Sequence, residues 1–141
     1  MNDDTDLTDA LIARLREQCP DLVSVEEADT TDPLESFRDT TPCARVYYAE
    51  DGANDEPDAM GRRQSVSQIY GVWLVSRVGE DFRQQRKAIR DALFGWQPVP
   101  HGALMAYKGG KVDKIVGGYR LWLEFWSVDT IYRPASRTVT V

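Results

Sequence analysis

Leu7, Leu11 and Leu15 recur at i, i+4 and i+8, with Ile12 at their flank. That spacing lays one apolar stripe along a helix and predicts helix over 6–19. Thr5 or Asp6 is placed to cap its start, and Pro20, directly after Cys19, stops it. The period then drops from 3.6 toward 2. Leu22-Val23-Ser24-Val25 reads as a short strand, and the polar stretch 29–42, with Pro33 and Pro42, as a loop with one turn around Leu34–Phe37. Ala44 to Ala49 reads as a strand, followed by an acidic, breaker-rich run, 50–58, that predicts a flexible loop or a hairpin tip. Arg63 to Val78 reads as one long strand, with Val66, Gln68, Tyr70, Val72 and Leu74 on one face and Ile69, Trp73 and Val75 on the other. Apolar residues on both faces of its second half predict a central strand covered on both sides.

Gly79-Glu80-Asp81 opens a second helix, 80–94, with carboxylates at its positive end. Phe82, Ile89, Ala92 and Leu93 form its apolar stripe; Arg83, Lys87 and Arg90 lie on an adjacent stripe, with Arg86 at the boundary. Gly95 suits the C′ position, Trp96 can fold back onto the apolar stripe, and Pro98 and Pro100 prevent continuation. Residues 103–107 and 112–116 read as two short strands joined at Lys108-Gly109-Gly110-Lys111. Gly117-Gly118 then turns into a long final strand, 119–133, in which Leu121, Leu123 and Phe125 alternate with Trp122, Glu124 and Trp126. The order α, β, β, β, α, β, β, β predicts an α+β fold, a mixed or antiparallel sheet flanked by two helices. Residues 1–134 read as a single domain and 135–141 as an extended arm.

Charge changes this picture more than composition does. The chain has 141 residues, enough for a core without disulfides or metals, and carries a net charge of -6. Residues 1–60 hold 17 Asp+Glu against 4 Lys+Arg, and residues 61–141 hold 6 against 13, so the halves carry -13 and +7. The asymmetry fits either a solvated acidic surface or complementarity between neighbouring copies, and head-to-tail contacts of the second kind close into rings or run on as filaments. Cys19 and Cys43 form no CxxC pair, and the acidic N-terminus lacks an apolar run, so the expected setting is a reducing cytoplasm. No segment approaches the ~20 apolar residues of a membrane span.

Catalytic chemistry finds little support. His101, the sole histidine, sits in a Pro-His-Gly turn and is the only conventional base for a Ser or Cys nucleophile. Metal-ligand spacing is absent, and Asp51, Asp55 and Asp58 do not follow the calcium-loop pattern. Glu124 and Asp129 fall on opposite faces of the last strand, which is no acid–base pair; Glu124 itself reads as half-buried between Trp122 and Trp126 or paired with an arginine. Trp122 and Trp126 read as core rather than as a stacking platform for bases. Arg83, Arg86, Lys87 and Arg90 fit three roles: a solvated helix face, a salt-sensitive phosphate contact, or an inter-subunit salt bridge. No cofactor is expected.

The N-terminal helix with Leu11 and Leu15, the helix from Arg86 to Leu93 ending in Gly95-Trp96-Gln97-Pro98, the Gly-Gly turn and the aromatic strand ending in Thr130-Ile131-Tyr132-Arg133 together resemble the tail terminator (tail completion) proteins of tailed bacteriophages, including the small Mu-like family. The resemblance covers roughly 7–134. It implies an α+β fold similar to tail-tube proteins. It also implies a hexameric ring on the head-proximal end of the tail tube, in the neck region of a virion assembled in the bacterial host cytoplasm. Such a ring stops tube polymerisation, joins tail to head through a connector or neck protein, and lets genomic DNA pass through its lumen. On that reading Asp51, Asp55, Glu56 and Asp58, together with Arg83, Lys87 and Arg90, are candidate subunit-interface residues. Two other readings stand beside it: another head–tail connector ring, and a small acidic inhibitor that mimics DNA with its first sixty residues. The basic second half argues against the inhibitor.

Overall fold

The computed structural model describes residues 6–28 and 40–133. Thr5, the turn around Leu34–Phe37 and the arm 135–141 lie outside the described residues. Helix α1 spans Thr8–Gln18, and Asp6 Oδ1 accepts from the Thr8 N–H at 2.8 Å. Leu11 and Leu15 are fully buried, each contributing about 1.5–3 kcal/mol. Strand β1 is Ser24–Glu27, two residues later than the apolar run suggests. Leu22 is spent on a turn, its N–H bonding Cys19 O, and Val23 N–H bonds Pro42 O. Arg16 of α1 donates to the Val25 carbonyl at 2.9 Å, which ties helix to strand.

Strand β2 runs Cys43–Ala53 and β3 runs Gln64–Arg77. β2 therefore continues past Ala49 into Glu50 and Asp51, where a flexible loop or a hairpin tip was expected; the run is the end of the β2–β3 hairpin. Pairing with β3 carries it through, after a bulge between Tyr48 and Glu50. Ladder hydrogen bonds and a partner strand override the weak strand preference of acidic residues. The second helix, α2, is Phe82–Leu93, with Asp81 as its N-cap accepting from Gln84 N–H at 3.2 Å. Gly95 adopts φ 74° and bonds Met105 O through its N–H, and Trp96 folds back against the core.

Strands β4, Ala106–Val116, and β5, Tyr119–Tyr132, correct the expected pair of short strands. Lys108-Gly109-Gly110-Lys111 is no turn; it lies inside one continuous strand, with bulges at Tyr107/Gly109 and Val112/Lys114. Gly110 admits a neighbour instead. A Cβ on Gly110 would stand 2.7 Å from Trp122 Cζ2 and 2.7 Å from the Tyr107 hydroxyl. Gly117 and Gly118, at φ 57° and 83°, do form the two-residue turn between β4 and β5.

The sheet order is β1-β2-β3-β5-β4, with β1 and β2 parallel and every other pair antiparallel. Both helices pack on one face, over Val46, Tyr70, Val72, Leu74, Trp126 and Val128. β3 is central, as expected, but its far face is covered by side chains rather than by a helix. Cys43, Val75 and Leu121 cluster there with Trp73 and Tyr119, and the Tyr47 ring lies over Gly71.

Candidate assembly surfaces

Two charged surfaces and one open sheet edge account for the residues that the core does not use. The β2–β3 hairpin tip is ordered by its own carboxylates. Asp55 Oδ1 accepts from Ser65 N–H at 3.0 Å, and Asp58 Oδ1 from Arg62 N–H at 2.8 Å. Asp51 stands on β2 and accepts from the hydroxyls of Tyr48 at 3.0 Å and Tyr132 at 3.2 Å. Burial, then the hydrogen bond to Asp51, pushes the Tyr48 phenol well above its ordinary range. Glu56 is exposed, and so is Met60, at 73 %. The tip is therefore a built acidic projection with one bare methionine, not a formless loop.

The basic surface is the outer face of α2. Arg83, Lys87 and Arg90 are exposed there. Lys87 is ion-paired with Asp91 at 2.7 Å, one turn along, and this hydrogen bond holds the Asp91 carboxyl below its usual range. Arg83 and Arg90 are left to carry the face. Arg86 instead stacks its guanidinium 4.1 Å above the Trp122 ring.

Beneath that stack, Glu124 is 2 % exposed. Its oxygens accept from the indole N–H groups of Trp122 and Trp126, both at 2.9 Å. Burial pushes its carboxyl upward, against the pull of the two indoles and of Arg86 and Arg90. The sequence suggested half-burial or an arginine partner; the side chain is buried outright and bonded to the tryptophans. Trp126 is fully buried, so it offers no stacking platform.

The two charged surfaces lie apart. The hairpin caps the Gln64–Tyr132 end of the β3–β5 ladder, and α2 starts near the Arg77–Tyr119 end. Fourteen residues of β3, about 43 Å, carry the chain from the hairpin to the start of α2, which then runs back until Gly95 bonds Met105, beside the Ala106–Ser127 pair. The third feature, missed in the sequence, is β4. It is an edge strand exposed along nearly its whole length, carrying Lys108 and Lys111 beside exposed Val112 and Ile115, while Tyr107 packs its ring edge-on against Trp126. Reading Gly109-Gly110 as a turn hid it.

No catalytic constellation gathers around the candidate groups. His101 is exposed at φ 64° in its turn. Cys19 and Cys43 are buried, and burial pushes both thiols up to about 11, far from a reactive thiolate. Asp129 lies on the face opposite Glu124, where it accepts from Ser67 at 2.6 Å and Asn54 at 3.2 Å. Among the described residues there is no group of three or more potential metal ligands, and no helix long and apolar enough to cross a membrane.

The fold is an α+β sheet with one helical layer, and its outward chemistry is charge and an open edge. The family model for phage tail terminator proteins matches residues 1–137, so the chain belongs to that family. It is a structural protein of the phage tail, not an enzyme. The fold is similar to that of a chain in the virion of a native gene transfer agent particle, with a TM-score of 0.60 and 17 % identity, covering 89 % of this chain and 95 % of that one. No curated protein sequence matches.

Proposed function

We propose that this chain closes into a ring of about six copies on the head-proximal end of the tail tube, stops tube growth, and presents the surface to which the head–tail connector binds. The observation that carries this reading is the separation of opposite charges on one subunit, acidic at the hairpin tip and basic on the outer face of α2, in a member of the terminator family. Such a subunit favours head-to-tail contacts, which close when the rotation between copies allows. The acidic group Asp51, Asp55, Glu56 and Asp58 forms one side of the subunit interface, and Arg83, Lys87 and Arg90 form the other. Asp51 and Lys87 are already engaged within their own subunit, so Glu56, Arg83 and Arg90 have most charge to offer a neighbour. Assembly takes place in the host cytoplasm, and genomic DNA passes through the lumen without sequence-specific contacts. The similarity to a chain of a gene transfer agent virion supports a place in such a particle.

The test is the mass of the purified protein by light scattering, alone and with tail-tube subunits, at low and high salt. A ring of about six copies, or one that appears only with tube and caps it at defined length, is the expected result. A monomer that leaves tube polymerisation unchecked overturns the reading.

A further inference from the structure

The β4 edge raises the question of what covers it. Strand β4 runs for 11 residues, and no described strand pairs with its outer side. An open edge of this length is a template for association unless charge or a cover blocks it. Here the edge is neither plain nor uniformly charged. Val112 and Ile115 are 46 % and 59 % exposed, within a strand that also carries Lys108 and Lys111. On the helix side, Trp122 leans over Gly110 and carries Arg86 on its ring, so α2 flanks the same side of the molecule. Val112, opposite Trp122, and Ile115, opposite Arg120, share the helix-side face, whereas Lys111, opposite Leu123, and Lys114, opposite Leu121, stand on the other face, with Asp113 between them in sequence.

The hairpin tip, 54–63, is opposite to it in net sign. It presents Met60 at 73 % exposure, with the carboxylates of Asp55, Glu56 and Asp58 before it and the exposed Arg62 and Arg63 after it. The two surfaces cannot meet within one copy. The tip continues β2 and β3 beyond the Gln64–Tyr132 pair, whereas Val112 pairs with Trp122 on the other side of β5. Ten residues of β5 separate Tyr132 from Trp122, about 33 Å. The match of apolar centre and opposite charge is therefore one between copies.

From this geometry we infer that the hairpin tip of one subunit docks astride the β4 edge of the next, Met60 seating on Val112 and Ile115 on the helix-side face and the tip carboxylates reaching Lys108 and Lys111 across the edge. The inference rests on the ring reading above and names its contact. It extends the basic side of the interface from α2 onto the edge of the sheet. Burying Met60 supplies apolar contact, and the charges fix register and exclude the tip-to-tip arrangement.

The experiment uses the full chain with tail-tube subunits, read by light scattering and by zero-length carbodiimide cross-linking mapped by mass spectrometry. Lys108→Glu with Lys111→Glu should weaken association about tenfold or more, and adding Glu56→Lys should restore part of it. Glu56 does not build the turn, unlike Asp55 and Asp58, so the swap leaves the tip intact. Met60→Asp should also weaken association, and Met60→Leu should not. Intermolecular cross-links joining Lys108 or Lys111 to the tip complete the expected result. Rings that persist in the lysine variant, or cross-links that map elsewhere, overturn the docking and leave the ring standing. Wild-type protein that never associates, with or without tube, overturns both.

Discussion

Glu124 is a carboxyl group held at 2 % exposure, and such a group is tolerated only where its oxygens are hydrogen-bonded. Both oxygens accept from indoles, one from Trp122 and one from Trp126. Glu124→Gln keeps the shape but replaces one acceptor with an NH2 donor, leaving an indole N–H without a partner. Urea denaturation should show a loss of about 1–3 kcal/mol. The pH dependence has a definite sign. Burial raises the folded-state pKa above the ordinary value of 4.5, so between the two values the native state binds more protons than the unfolded state. This contribution is fully present below the unfolded pKa and is lost as pH rises through the folded one. The stability gap between wild type and Glu124→Gln should narrow over that window; a gap constant with pH would show that the group titrates alike in both states. Alternation along β5 was enough to put Trp122, Glu124 and Trp126 on one face. The direction in which each indole N–H points depends on ring rotamers set by α2 above, and no sequence pattern carries that.

The elements divide by how much of their definition is local. α1, α2, β3 and β5 were legible because each is long and strongly periodic, and tertiary packing only confirms the stripe. β2 and β4 were misjudged because their partners define them. Glu50 and Asp51 are poor strand formers alone, yet they extend β2 by lying opposite Ile69 and Gln68. Gly109-Gly110 has the composition of a hairpin turn, yet the true turn is Gly117-Gly118, where both φ values are positive. The open edge of β4 stayed hidden in the sequence for the same reason. Gly110 is there to let the Trp122 indole pass. Gly110→Ala would force a methyl against the indole and the Tyr107 hydroxyl, both at 2.7 Å, and against Glu124 Cβ at 3.0 Å. Overpacking of this kind costs about 1–3 kcal/mol, read as a lower denaturation midpoint. Gly52→Ala is the control. Nothing lies within 4 Å of its added Cβ, and it should leave stability unchanged within about 0.5 kcal/mol. Equal effects at both glycines would refute the close-approach account of Gly110.

At the scale of the whole molecule, the division into a -13 half and a +7 half could be read directly from the chain. What could not be read was placement, since residues 54–63 and 83–90 are close in sequence but lie on different elements, the tip beyond the end of the β3–β5 ladder and the basic face on the helix that covers the sheet. That separation bears on the symmetry of association. A two-fold dimer whose axis passes through the tip brings one acidic tip onto another, which like charge opposes. A head-to-tail contact brings tip to helix, so reversing the helix charge should remove it. In Arg83→Glu with Arg90→Glu, the ring proposed for this chain should be lost. The fold should remain, because both side chains are exposed and surface changes of this kind usually shift stability by no more than about 0.5 kcal/mol. Light scattering gives the first outcome, and circular dichroism with thermal melting the second. Salt supplies an independent check. The screening length falls from about 10 Å at 0.1 M to about 3 Å at 1 M, so wild-type rings should loosen over that range and the double variant should be indifferent to it. Rings that survive both the reversal and the salt would take α2 out of the interface and leave apolar contact at the sheet edge as the force that holds the copies together.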